Sequence, residues 1–177
     1  MALGSSNSEP KIYLSVGFGK IRQKQLMGGV KVDEKTPKAV EREDKSKRKS
    51  WAIEHDYVSG VIEKVFWKEG GENDGTKFKN TFEIVIADGL DKYELSMADD
   101  SRYWFGFMKL LPNIILKDEV KIVVYDYKDK KGVRKAGLAV EQKNNPNATG
   151  FKKKSGEEVF YVNSFFDKWN EDKTWSY

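Results

Sequence analysis

The chain of 177 residues contains no cysteine, and its 32 Lys and Arg against 28 Asp and Glu give a net charge of +4. The lack of cysteine excludes disulfides, thiolate zinc sites and cysteine nucleophiles, and the length favours one domain with appendages. Aromatic residues make up 13% of the chain, which argues against global disorder. The mild positive charge favours a polyanionic partner.

The first nineteen residues divide into a polar tail and a strand. Residues 1–10 are mostly small and polar, and we expect a disordered tail without the features of a signal peptide. Residues 11–19 alternate around Ile12, Leu14 and Val16, which predicts a strand. Whether this strand joins the domain that follows stays open, although burial of the three apolar side chains favours it.

Residues 20–50 form the most basic part of the chain. They carry eleven Lys and Arg against five Asp and Glu, a net charge of +6 that exceeds the charge of the whole protein. Apolar residues are sparse after Val32, which predicts a flexible segment. Two interpretations remain: an arm that binds phosphates, with Lys47, Arg48 and Lys49 at its end, and a solvated linker.

Residues 51–142 show the clearest pattern, with five β-like runs around one helical run. We predict strands over 51–68, 77–87 and 91–97, a helix over 100–111 and strands over 119–127 and 134–142. This order is that of an OB-fold, a small barrel that often binds single-stranded nucleic acid. The predicted fold class is therefore mainly β: an OB-fold-like five-stranded Greek-key barrel with one helix between strands 3 and 4.

Alternation along these strands also predicts the core. Phe78 and Phe82 on the second strand, Tyr93 on the third and Phe107 on the helix are expected inside. In the fifth strand, Gly137 and Ala139 lie on the face opposite the apolar one. Such small side chains let another group approach the backbone closely.

Residues 143–177 form a C-terminal extension. A polar linker around residues 144–150 precedes one more candidate strand between Glu158 and Phe166, and the chain ends in an aromatic tail. No stretch approaches eighteen apolar residues, so we expect no membrane span and a cytoplasmic protein.

Catalytic interpretations find little support in the sequence. His55 is the single histidine, which leaves His-based triads and HExxH zinc sites without partners. Asp99 and Asp100 could pair at a metal, but capping of the helix explains them sufficiently. We therefore expect no enzyme activity, no catalytic residues, no metal site and no cofactor.

A nucleic-acid site has positive support. Single-strand binders need cations along the phosphates and exposed rings on which bases stack. The outward strand faces supply both kinds of side chain, and Trp67 lies beside the loop after the first strand. The predicted binding residues are Lys47, Arg48, Lys49, Lys64, Trp67, Lys77, Lys79, Lys92, Lys121, Tyr125 and Tyr127.

Four stretches resemble a known family. They are residues 58–65, the hairpin through Asp88 and Gly89, the helix end at residues 110–114, and residues 135–140. Together they resemble small phage-encoded OB-fold proteins that bind single-stranded DNA, over about residues 51–142. The resemblance implies a protein of the host cytoplasm.

The end of the chain departs from the pattern of single-stranded DNA-binding proteins. These proteins often carry an acidic C-terminal tail with an aromatic or apolar tip that docks partner enzymes. Residues 170–177 are aromatic but only weakly acidic, with Lys173 among them. Replication proteins that bind this tail are the partners the resemblance implies.

The leading hypothesis is a single-stranded DNA-binding protein with little sequence preference, which protects strands during DNA replication or recombination. RNA stays open as the ligand, because single contacts to the 2′-hydroxyl distinguish the two. The alternative is a virion or complex-assembly protein that uses the same barrel for protein docking.

Overall fold

A computed structural model describes residues 11–43, 47–73 and 76–166 of the chain. The first seven strands in these ranges are β1 (Lys11–Gly17), β2 (Lys20–Gln23), β3 (Ala39–Glu43), β4 (Lys49–His55), β5 (Tyr57–Lys68), β6 (Glu72–Asn73) and β7 (Thr76–Lys77). Six more follow: β8 (Thr81–Asp88), β9 (Asp91–Ala98), β10 (Glu119–Lys128), β11 (Arg134–Glu141), β12 (Ala148–Lys152) and β13 (Glu158–Val162). Helix α1 spans Arg102–Leu110 and runs into a 3-10 turn at Leu111–Asn113. The predicted mainly-β class is confirmed.

The main sheet is open rather than closed. Eleven of the described strands lie in the order β12-β13-β11-β10-β5-β8-β9-β1-β2-β4-β3, and β6 pairs only with β7. The predicted five-stranded closed barrel is therefore wrong. Such a barrel would close by pairing its edge strands, β9 and β11. Instead β9 pairs in parallel with β1, and β11 pairs at its end with β13.

Strand β1 occupies the edge that a closed barrel would have used. Its residues 11–15 pair with residues 92–96 of β9, and Leu14 is buried. The turn after β1 reaches α1, where the N–H of Gly19 donates to the Tyr103 hydroxyl at 3.0 Å. It also reaches β10: a Cβ at Gly19 would lie 2.6 Å from Cβ of Asp126, and the φ of +72° also favours glycine. The N-terminal hairpin thus packs against both α1 and the central strands.

Residues 20–23, 39–43 and 49–50 are built into the sheet, which corrects the prediction of a flexible basic segment at these positions, while residues 24–38 lie outside the strands. Strands β2 and β3 both pair with β4, and Ile21 is fully buried. Glu54 on β4 accepts two hydrogen bonds from Arg42, each 2.9 Å long, and its carboxylate lies 3.5 Å from Arg22. Glu54, which lies outside residues 20–50 in the sequence, therefore neutralises part of the positive charge of that segment.

The core lies between the inner faces of the central strands and one face of α1. It is an alternating set from neighbouring strands, typical of a half-buried sheet: Ile62, Phe82, Ile84, Ile86, Leu95, Met97, Val120, Ile122, Val124, Leu138 and Val140. Phe107 and Leu110 of α1 pack onto it. The expected burial of Phe82 and Phe107 is confirmed, with a ring distance of 5.9 Å.

Phe78 is an exception to the predicted core, since it is 57% exposed. The second predicted strand begins later than expected, at Thr81, and residues 78–80 lie outside any strand. The N–H of Phe78 donates to the carbonyl of Gly71, and the N–H of Gly70 donates to the Asn80 side chain. These loop hydrogen bonds move Phe78 away from the sheet face on which the alternation placed it.

Helix α1 lies within the predicted range 100–111, but Ser101 caps it rather than Asp99 or Asp100. The Ser101 hydroxyl accepts a 3.1 Å hydrogen bond from the N–H of Trp104, and Pro112 follows the last helical turn. No helix in the described ranges has both the length and the apolar composition needed to cross a membrane. The predicted N-terminal tail and the aromatic C-terminal tail lie outside the described residues, whereas the candidate strand after Glu158 is β13.

Candidate nucleic-acid interface

Two of the predicted base-contacting side chains, Tyr125 and Tyr127, lie side by side on the outer face of β10. Their ring centroids are 5.9 Å apart, and the residues are 38% and 57% exposed. They point outward because Val120, Ile122 and Val124 occupy the alternate positions that face the core. Neighbouring exposed rings offer stacking faces to unpaired bases.

Tyr125 lies against the neighbouring strand at Gly137. The two residues are paired in the register of β10 and β11. A Cβ at position 137 would lie 2.8 Å from the Tyr125 hydroxyl oxygen and 3.1 Å from Cζ. The space beside this small residue was expected to admit a ligand. The ring of Tyr125 occupies that space instead, and this contact holds the ring across β11.

The hairpin that joins β10 to β11 is basic. Residues 126–135 hold five Lys and Arg against two Asp, a net charge of +3. Asp129 accepts hydrogen bonds from the N–H groups of Lys131 and Val133, both 2.9 Å long. The side chain of Asp126 pairs with Arg134, whose guanidinium holds the pKa of this carboxyl below its ordinary value. Both acids of the hairpin are thus engaged within it.

Four lysines of this hairpin make no ion pair with any residue in the described ranges: Lys128, Lys130, Lys131 and Lys135. All four are exposed. Lys135 is the cross-strand partner of Tyr127. We name Tyr125, Tyr127 and these four lysines the hairpin surface. It combines stacking rings with positive charge that no described acid neutralises.

Most of the lysines that were predicted to bind nucleic acid form ion pairs, unlike the four hairpin lysines. Four of them lie in ion pairs: Lys49–Glu41, Lys79–Asp100, Lys92–Glu63 and Lys121–Glu141. Alternation predicted the outward direction of the strand lysines but not their partner acids; for Lys121 the partner follows from the register of β10 and β11. Four lysines of the predicted site therefore have acidic partners, and their contacts with nucleic acid stay a prediction.

The remaining predicted cations lie apart from the hairpin. The ammonium of Lys64 lies 4.7 Å from the ring centroid of Phe66, a cation–π contact on β5. Lys77 is exposed on the small β6–β7 hairpin. Lys47 and Arg48 are exposed just before β4. The structure does not bring these side chains together with the tyrosines.

Trp67 belongs to a second aromatic group, which lies beside α1. It is 45% exposed, and its ring lies 6.0 Å from that of Trp104, edge to face. Trp104 in turn lies 4.6 Å from Phe105. The prediction from sequence did not include Phe105 or the four hairpin lysines. Five cations within ten residues were a visible signal for the lysines.

A large cleft lies elsewhere and has the wrong charge for a polyanion. It has a volume of ≈ 600 Å³ and lies between the start of β10 and β13. Three lysines line it, but they are outnumbered by five acids: Asp118, Glu119, Glu141, Glu157 and Glu158. No cluster of three metal-ligating side chains occurs among the described residues.

Comparison with known proteins identifies no relative. No protein-family model matches the chain, and neither does any curated protein or any solved structure.

Proposed function

We propose that this protein binds single-stranded DNA without catalysis and with little sequence preference, and that it protects exposed strands during replication or recombination. The observation that carries the proposal is the hairpin surface, where Tyr125 and Tyr127 lie exposed beside four lysines that form no ion pair with a described residue. These are the two kinds of side chain that single-strand binding requires.

The energetics of this surface favour unpaired strands. Each base stacked on an aromatic ring contributes about 1–3 kcal/mol, and all four bases have a face to stack. In a duplex those faces are covered by neighbouring base pairs. Lysines that neutralise phosphates release counterions, so affinity falls steeply as salt rises. Low sequence preference follows, because neither contact reads the edge of a base.

The arrangement of the central strands supports an OB-like core for this function. Strand β5 pairs with both β8 and β10, and α1 lies between β9 and β10 in the chain. In OB-folds the loop between the fourth and fifth strands takes part in oligonucleotide binding. The corresponding loop here is the tip of the basic hairpin, residues 129–133.

Titration of a fluorescein-labelled oligo-dT with the full-length protein, at several salt concentrations, tests the proposal. We expect tight binding at low salt, a steep loss of affinity as salt rises, and weak competition by duplex DNA. Absence of binding at low salt would rule the proposal out, and so would competition by duplex as strong as that by single strand.

Protein docking in a virion or other assembly is the second candidate, favoured by the edges of the open sheet. Edge strand β12 exposes Phe151, which is 58% accessible, and β3 forms the other edge. Exposed edges accept added strands from partners. Charge reversal at Lys130 and Lys131 separates the two functions, because it weakens DNA binding and leaves an edge-strand partner unaffected.

A further inference from the structure

We propose that the cleft between α1 and β11 is a subsite for one nucleotide of the bound strand. This inference rests on the proposed function, and it extends the interface from the hairpin surface onto the helix. The cleft has a volume of ≈ 390 Å³. That lies within the range of about 300–1,000 Å³ typical of small-ligand pockets.

The helix forms one wall of the cleft with a single face. Arg102, Phe105 and Lys109 line it at spacings of three and four residues, which places them on the same side of α1. Phe107 and Leu110 are buried in the core, and all three residues of the wall are exposed. The helix therefore presents two cations and a ring outward.

Small residues keep the cleft open between the helix and the strand. A Cβ at Gly106 would lie 3.6 Å from the backbone nitrogen of Leu138, so α1 approaches β11 closely. Ala136 and Gly137 line the strand side, and Tyr125 forms the opposite wall. Phe105 and Tyr125 thus line the same cleft, which offers two aromatic rings to a base.

The charge of the cleft matches a phosphodiester. None of its ten lining residues is acidic, in contrast to the five acids in the cleft beside β13. Arg102 and Lys109 make no salt bridge with any residue that the structure describes. Asp126 lies close enough to Arg102 to be influenced by its charge, but the carboxylate is held by Arg134. Both cations of the cleft are thus available to phosphates.

The cleft continues the path of the hairpin surface. Tyr125 belongs to both, with Tyr127 beside it at 5.9 Å. On the other side Phe105 contacts Trp104. A second cleft of ≈ 430 Å³ shares Arg102 and Ala136 with the first and reaches Arg134. A strand that stacks on Tyr127 and Tyr125 therefore meets Phe105 next.

Oligo-dT titrations of Phe105→Ala and Phe105→Trp test the subsite. The matched control is Phe151→Ala, which removes a ring of similar exposure from edge strand β12: Phe105 is 53% exposed and Phe151 58%. We expect Phe105→Ala to reduce the affinity about 5-fold or more, the range of one stacked base, while Phe105→Trp retains binding. Phe151→Ala should bind as the wild type does.

A second pair of variants tests the charges. Arg102→Gln with Lys109→Gln should lower the slope of log affinity against log salt by about 0.7 for each phosphate that is no longer neutralised. The control, Lys117→Gln with Lys143→Gln, removes two lysines from the acid-lined cleft and should leave the slope unchanged. Thermal unfolding of each variant checks that the fold is retained.

The outcomes separate this inference from the proposed function. If the wild type binds oligo-dT and Phe105→Ala binds it with the same affinity, the subsite is overturned, but the proposed role of the hairpin surface is not. Failure of the wild type to bind at low salt overturns both. If Phe105→Ala reduces the affinities for oligo-dT and oligo-rU equally, the result supports a subsite that holds base and phosphate. If it reduces only the affinity for oligo-rU, the subsite is overturned for DNA.

Discussion

Tyr125 lies across the backbone of Gly137, its hydroxyl oxygen 2.8 Å from the point where a Cβ would be. The ring sits on β10, and the glycine is its register partner on β11. The missing side chain thus sets the position of a ring that belongs to both the hairpin surface and the α1 cleft. Glycine at position 137 therefore affects the proposed binding of bases, because it determines where the Tyr125 ring lies.

Gly137→Ala should therefore weaken oligo-dT binding by about 5-fold while leaving the fold intact. The added Cβ meets the far end of a flexible side chain, so the ring moves and the free energy of unfolding changes by about 1 kcal/mol or less. The control is Gly17→Ala in β1, where a Cβ meets nothing within 4 Å. Unchanged affinity in Gly137→Ala would show that the ring position does not matter for binding.

Lys130→Gln with Lys131→Gln should reduce the salt dependence of binding. Each phosphate that the variant no longer neutralises lowers the slope of log affinity against log salt by about 0.7 for a single strand. The matched control is Lys152→Gln with Lys154→Gln, a pair of exposed lysines around the end of edge strand β12. Equal slopes for the two double variants would contradict a specific role for the hairpin.

Glu54→Gln should destabilise the protein by about 2 kcal/mol at pH 7, because it leaves Arg22 buried without its carboxylate partner. The hydrogen bond from Arg42 is the main cause that lowers the pKa of Glu54 below its ordinary value near 4.5. The stabilisation is therefore complete above pH 4.5 and is lost as pH falls through the lower, folded-state pKa.

Urea unfolding of wild type and Glu54→Gln between pH 3 and pH 8 measures this effect. The difference in free energy of unfolding should be constant above about pH 5 and shrink below it. Glu41→Gln is the control, since its pair with Lys49 is largely exposed and contributes about 0.5 kcal/mol or less. A difference that grows in acid would contradict the assigned ion pair.

Gln142→Ala should destabilise the protein by about 2–3 kcal/mol. Its buried amide donates to the carbonyl of Ile115 at 2.8 Å and accepts from the N–H of Ile115 and the amide of Asn145. These bonds join the segment after α1 to the end of β11, and their removal leaves buried groups unpaired. The exposed Gln25→Ala should change the free energy of unfolding by about 0.5 kcal/mol or less.

The central elements were predictable because local patterns encode them. Alternation predicted β8 to within a few residues and β10 to within one at its C-terminal end, and the predicted helix matches α1 to within two residues at each end. Pairing between distant segments was not predictable in the same way. Nothing local in β1 specifies that it lies parallel to β9 and so leaves the sheet open.

The candidate site was predicted in part for the same reason. Alternation placed Tyr125 and Tyr127 on one outer face, which the structure reproduces. It could not show that Lys121 lies opposite Glu141, because that depends on the register between two strands. Nor could it show that Phe105 shares a cleft with Tyr125, because that depends on how α1 packs beside β11.

Photocross-linking with an oligo-dT that carries 5-iododeoxyuridine, followed by peptide mass spectrometry, shows directly whether Tyr125 and Tyr127 contact the bound strand. We expect cross-links in the peptide that contains Tyr125 and Tyr127. These cross-links should disappear in the double variant Tyr125→Ala and Tyr127→Ala but persist in Tyr13→Ala, which changes another exposed tyrosine. Cross-links confined to peptides outside residues 102–137 would contradict this contact.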